Sequence, residues 1–131
     1  MWSTGSRYVP VPQDEILVFL PNGIGVLEVY NWALCWYETF TYTVHKDVLT
    51  MTGDTRYSDN LKTYQIEQEP SRIHYDGKFL IHIGKDIDGA PLEIIDFGYP
   101  PVEFATREKT FGRVVLDIAS YRYPSFEEWR K

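Results

Sequence analysis

The chain of 131 residues reads as an all-β single domain, an antiparallel meander of about eight to ten short strands. Three observations predict it. Apolar and polar residues alternate in short runs, as Phe40, Tyr42 and Val44 do against Thr39, Thr41 and Thr43. Turn residues interrupt these runs at short intervals. No stretch carries the spacing of a long amphipathic helix. An up-and-down barrel is the expected topology, because closure removes exposed strand edges. A β-sandwich or a curved open sheet is the alternative.

Taken in order, residues 1–13 hold Pro10 and Pro12 and form an extended entry. The apolar run Asp14 to Leu20 ends at Pro21-Asn22-Gly23, a type I or II turn, and Gly25 to Tyr30 is its return strand. The first hairpin therefore pairs Ile16–Leu20 with Gly25–Val29. Asn31 to Tyr37 fits a bulged connection, a helical turn or a continued strand, and its aromatic content predicts at least partial burial of the stretch. Phe40 to Met51 is a second hairpin, broken by His45-Lys46-Asp47, with Leu49 and Met51 on the face of Phe40, Tyr42 and Val44. Gly53-Asp54 bends the strand that follows. Lys62 to Glu69 alternates with Tyr64 and Ile66 inward. Asp76-Gly77 is a strong hairpin signal between Arg72–Tyr75 and Lys78–Ile83. Gly84 to Pro91 is a turn region, and Leu92 to Tyr99 a strand stopped by Pro100-Pro101. A short edge strand is expected around Val102–Phe104, and Arg113 to Tyr121 reads as a strand. Ser125 and Glu128 have capping-box spacing, which predicts a short C-terminal helix docking Phe126 and Trp129.

Composition bounds the function. Ten Tyr, seven Phe and four Trp are an unusual aromatic share, suited to strands and to binding surfaces. A net charge of -6 without a basic run argues against nucleic acid, whose phosphates need clustered Lys and Arg. The N-terminal residues lack a cationic region followed by an apolar one, and no apolar run reaches membrane-spanning length. With Cys35 the only cysteine, no intramolecular disulfide forms. A cytoplasmic acidic protein with no membrane association is expected.

The run Phe19-Leu20-Pro21-Asn22-Gly23-Ile24-Gly25, followed by Phe40-Thr41-Tyr42 and Leu49-Thr50-Met51, resembles small bacterial lipocalin-like (calycin) barrels. The resemblance covers Ile16 to Leu49. It implies an antiparallel barrel with an apolar interior and no catalytic machinery. The family's Gly-x-Trp signature near the N-terminus is not present; Gly5-Ser6-Arg7 takes the nearest place.

Catalytic and metal signatures are weak. His74 and His82 flank the expected Asp76-Gly77 turn and would project to opposite faces, so they do not share a metal. Cys35 lies in an apolar neighbourhood, where a thiol is inert packing. There is no Gly-x-Ser-x-Gly, and no helix or Gly-Lys-Ser/Thr follows Gly23-Ile24-Gly25. Asp86-Ile87-Asp88-Gly89 matches only a fragment of a calcium loop. No catalytic residue, metal or cofactor is expected. The remaining feature is the aromatic set from Tyr30 to Tyr42, either core or the wall of an apolar pocket. The candidate ligand-binding residues are Trp36, Phe40 and Tyr42 as wall, with Arg72 as anchor for an acidic group. The expected function is non-enzymatic binding of a small apolar or amphipathic ligand. The alternative is a protein-interaction module, such as a toxin-neutralising immunity protein.

Overall fold

The computed structural model describes residues 2–3, 13–85, 88–101, 110–113 and 121–126. Nine strands lie among them: β1 (Trp2–Ser3), β2 (Gln13–Phe19), β3 (Ile24–Asn31), β4 (Ala33–His45), β5 (Val48–Asp59), β6 (Ile66–Pro70), β7 (His74–Lys85), β8 (Pro91–Phe97) and β9 (Thr110–Arg113). All pairings are antiparallel. The neighbour order is β4-β3-β2-β1-β9-β8-β7-β5-β6, and β4 also pairs with β5. Apart from the β6 excursion, each strand from β1 to β9 lies beside its successor in the chain, which is the expected meander. The expected edge strand at Val102–Phe104, most of the Arg113–Tyr121 strand, and Glu128 and Trp129 of the expected helix lie outside the described residues.

Local chemistry explains the first turns. Leu20 accepts a 3.3 Å hydrogen bond from Gly23 N, and Gly23 sits at φ 82. Asn22 is not in the left-handed region, so the turn is type I, closed by a glycine where only glycine is unstrained. At the other end of β3, Trp32 makes the link to β4 at φ 66, with Asn31 opposite Ala33. A register shift beside Val29 and Tyr30 then accommodates Cys35. The connection is thus a bulged hairpin, partly buried as expected through Leu34, Trp36 and Tyr37, with Trp32 itself 79% exposed.

The Asp76-Gly77 turn does not form. Both residues lie inside β7, opposite Thr50 and Leu49, and Gly77 lacks the positive φ that a tight hairpin turn requires. Pairing with β5, and burial of Tyr75 beside Phe97 at 5.1 Å, outweigh the local signal. The chain turns instead at Asp88-Gly89, with Gly89 at φ 82. His74 and His82 consequently share a face of one strand, about 26 Å apart. That separation, not opposite facing, keeps them from a common ion.

One face of the sheet carries the main core: Trp2, Leu17, Leu27, Phe40, Met51, Tyr75, Phe97 and Phe111 are among its buried members. The strand β3 is buried on both faces from Gly25 to Val29. On its second face Tyr121 donates a 2.7 Å hydrogen bond to Glu28, and Phe126 packs on Tyr37 at 5.7 Å. β6 behaves differently from the expectation. Every residue in it is exposed, and Tyr64 and Ile66 are 54% and 50% exposed. Among the described residues it pairs only with the Thr55–Asp59 half of β5.

Candidate functional site

The core face changes character along β4. Phe40 is 1% exposed and packs edge-on against Phe19, whose ring also meets Tyr42 at 5.0 Å. The Tyr42 hydroxyl donates to the Leu20 carbonyl, tying the rim to the first turn. Two and four residues earlier, at the same alternation, stand Glu38 and Trp36. Glu38 is 2% exposed, a buried carboxylate. Such a group is stable only with hydrogen-bond donors around it. It accepts from Trp36 Nε1 at 3.1 Å, Ser71 Oγ at 3.0 Å and Arg72 N at 3.4 Å.

The segment that supplies two of these donors is positioned by Gly53. There β5 exchanges its neighbour from β7 to β6. Gly53 N donates to Ile73 O at 2.8 Å, and Ser71 N to Asp54 O at 3.1 Å. A Cβ on Gly53 would lie 2.5 Å from Ser71 Oγ and 2.9 Å from Ile73 O. Only glycine admits this approach, and the expected bend at Gly53-Asp54 is therefore what delivers Ser71 to Glu38.

Opposite Glu38 across the β4–β5 ladder stands Arg56. Its guanidinium carbon lies 4.2 Å from the Trp36 ring centroid, a cation–π contact in a half-buried setting. Its Nε is 3.5 Å from Oε1 of Glu69, an exposed residue of β6. The same Nε is buried and makes no hydrogen bond. Glu15, 3% exposed, stands in the row Glu15, Val29, Trp36 that crosses β2, β3 and β4.

The sequence-derived candidates thus divide. Trp36 and Arg72 meet at Glu38, Arg72 through its backbone, while its side chain is exposed. Phe40 and Tyr42 belong with Phe19, Phe40 being part of the packed core. Glu38 and Arg56 were not singled out by the sequence. Their signal was a charged residue at a core-facing position of an alternating strand, legible for Glu38 once Phe40 and Trp36 are placed inward.

A second feature lies on β7. Leu80, Ile81 and Ile83 are 61%, 48% and 67% exposed. Beyond Lys78 the β5 side of this strand has no paired strand among the described residues. Beside it an open groove is lined by Asp47, Lys78, Phe79, Leu80, Asp96 and Phe97. Among the described residues no group of three or more His, Cys, Asp or Glu side chains could hold a metal ion, and no helix is long and apolar enough to cross a membrane. Comparison with known protein families, curated proteins and solved structures gives no match.

Proposed function

We propose that the protein is a small, non-enzymatic binding barrel of calycin-like type that takes an apolar or amphipathic ligand at the Trp36 end of its core face. The observation that carries this reading is the Arg56 guanidinium stacked on a half-buried Trp36 beside buried Glu38. An aromatic face with a few convergent polar groups is how small-molecule sites are built. The barrel reading draws on β4, which is paired along both edges. It draws also on the stagger of the pairing. A row of paired residues starting at His82 and passing through Gly112, Ile16 and Tyr37 reaches Tyr57, in the half of β5 that faces β6 instead of β7. Such displacement is the shear that a tilted barrel needs. Cytoplasmic residence belongs to the same proposal, supported by the lone Cys35.

The test is a thermal-shift screen of lipids and small amphiphiles against the wild type and Trp36→Ala. A ligand at a hundredfold excess over its Kd adds about 2.7 kcal/mol to stability. A saturable rise in melting temperature, lost in Trp36→Ala while the variant stays folded, is expected. A flat screen overturns the reading.

The exposed Leu80, Ile81 and Ile83 favour a second reading, an interaction module that adds an extended partner segment to β7. A toxin-neutralising immunity protein is the form considered from the sequence. In this case an identified partner loses affinity on Ile83→Lys and keeps it on Trp36→Ala.

A further inference from the structure

Past the β4–β5 turn, β7 presents an open edge. Phe79 N donates to Asp47 O at 3.2 Å. Alternate residues of a strand aim their backbone groups to the same side, so Ile81 and Ile83 also aim theirs toward the β5 side. β5 begins at Val48, opposite Lys78, and among the described residues no strand meets Ile81 or Ile83 there. Monomeric sheets blunt such an edge with lysine, proline or a bulge. Phe79 to Gly84 contain no lysine or proline, and their register with β8 is unbroken. Leu80, Ile81, His82 and Ile83 are exposed in succession.

We propose that the occupant of this edge is a second copy of the chain, its β7 paired antiparallel to the first about a two-fold axis at His82. The proposal rests on the reading of β7 as an edge that accepts a strand. An axis at His82 sets Ile81 opposite Ile83 of the second copy, and Ile83 opposite its Ile81, each pair exchanging both backbone hydrogen bonds. Phe79 packs against the core, so by alternation the isoleucines of both copies share that face and cover one another. On the other face Leu80 meets Gly84 of the second copy, where Ile94 Cδ1 lies 2.3 Å from the place a Cβ would take. Asp47 stops the ladder at that point, since it holds the position opposite Phe79. The same obstruction disfavours an axis at Ile81, which would send Ile83 of the second copy into Asp47. An axis at Ile83 would set Lys85 against Ile81. With the axis at His82, Lys85 of each copy arrives instead beside Asp47 of the other. The groove there, about 400 Å³, is lined by Asp47 and Asp96 with Lys78. Two carboxylates face one ammonium, and the exposed Lys85 supplies the second cation.

The experiment uses the full-length chain. His82 lies on the axis as a non-hydrogen-bonded pair, with Cα atoms about 4.5 Å apart, within disulfide reach. Leu80 of the two copies would stand about 13 Å apart, beyond it. In a Cys35→Ala background, His82→Cys should therefore oxidise to a covalent dimer at least about tenfold faster than Leu80→Cys. Sedimentation of the wild type should show a concentration-dependent dimer, weakened at least about tenfold by Ile83→Lys. Equal cross-linking at both positions, or a wild type that stays monomeric at every concentration, overturns the proposal. A valine–threonine alternating peptide, titrated calorimetrically against the wild type and Ile83→Lys, separates the two levels of the reading. If the wild type is monomeric but binds this peptide and Ile83→Lys does not, the second copy falls and the strand-accepting edge stands. If neither dimer nor peptide binding is seen, both fall.

Discussion

Ser71 Oγ donates a 3.0 Å hydrogen bond to Oε1 of Glu38, joining residues 33 positions apart. The bond locks the β6–β7 junction onto the middle of β4, and it explains how a carboxylate 2% exposed persists on the core face. Glu38→Ala removes the acceptor and strands three donors. The expected loss of stability is about 3 kcal/mol in urea unfolding. Ser71→Ala, which removes one donor, should cost about 1 kcal/mol. An unchanged midpoint for Glu38→Ala would show that the carboxylate anchors nothing.

Gly53→Ala tests the same junction from the other side. The new methyl would stand 2.5 Å from Ser71 Oγ and 2.8 Å from Ser71 Cβ, so the 71–73 segment must retreat. A loss of about 1–3 kcal/mol is expected. Because the retreat also separates Ser71 from Glu38, Gly53→Ala combined with Ser71→Ala should cost less than the two losses added.

Tyr121 gives a pH-dependent test. Burial first, and then its hydrogen bond to Glu28, hold its phenol far above the ordinary tyrosine range. In the unfolded chain it titrates near pH ~10. The raised folded pKa stabilises the protein fully below that pH, and the contribution is lost as the pH rises beyond it. Burial also raises Tyr37 and Tyr42, so Tyr121→Phe should blunt the alkaline loss without abolishing it. At neutral pH the substitution should cost about 1.5 kcal/mol, since the lost bond is to a carboxylate. Unfolding midpoints at neutral and alkaline pH measure both.

Trp32 is strained and contributes little burial. A bulky residue at φ 66 is costly, and this one is 79% exposed. Trp32→Asn, which tolerates the left-handed conformation, should leave the melting temperature unchanged or raise stability by up to about 1 kcal/mol. A clear drop would mean that the indole packs on a neighbour.

Ile83→Lys addresses the exposed stretch of β7. Lysine on an open strand edge blocks strand addition. Concentration-dependent light scattering should fall in the variant while its unfolding free energy stays within about 0.5 kcal/mol of the wild type. Equal scattering from both proteins would remove this edge as an association surface.

Composition and alternation alone determined the all-β class, the first two hairpins and the inward direction of Phe40 and Tyr42 on β4, because period-two burial is written locally in side-chain order; Val44, expected on the same buried face, is 54% exposed near the strand's end. The turn at Pro21-Asn22-Gly23 was legible for the same reason: its glycine meets a backbone requirement within four residues. The tertiary structure decided what local order could not. Asp76-Gly77 stays extended because β5 and Tyr99 claim its backbone, with Asp76 N donating to Tyr99 Oη at 2.9 Å. Tyr64 and Ile66 are exposed, and among the described residues β6 pairs only with the half of β5 beyond its change of partners at Gly53. Glu38 and Arg56 meet Trp36, Glu69 and Ser71 only once β4, β5, β6 and the β6–β7 junction are brought together. A buried charge is set by the donors that surround it, and those donors arrive from distant parts of the chain.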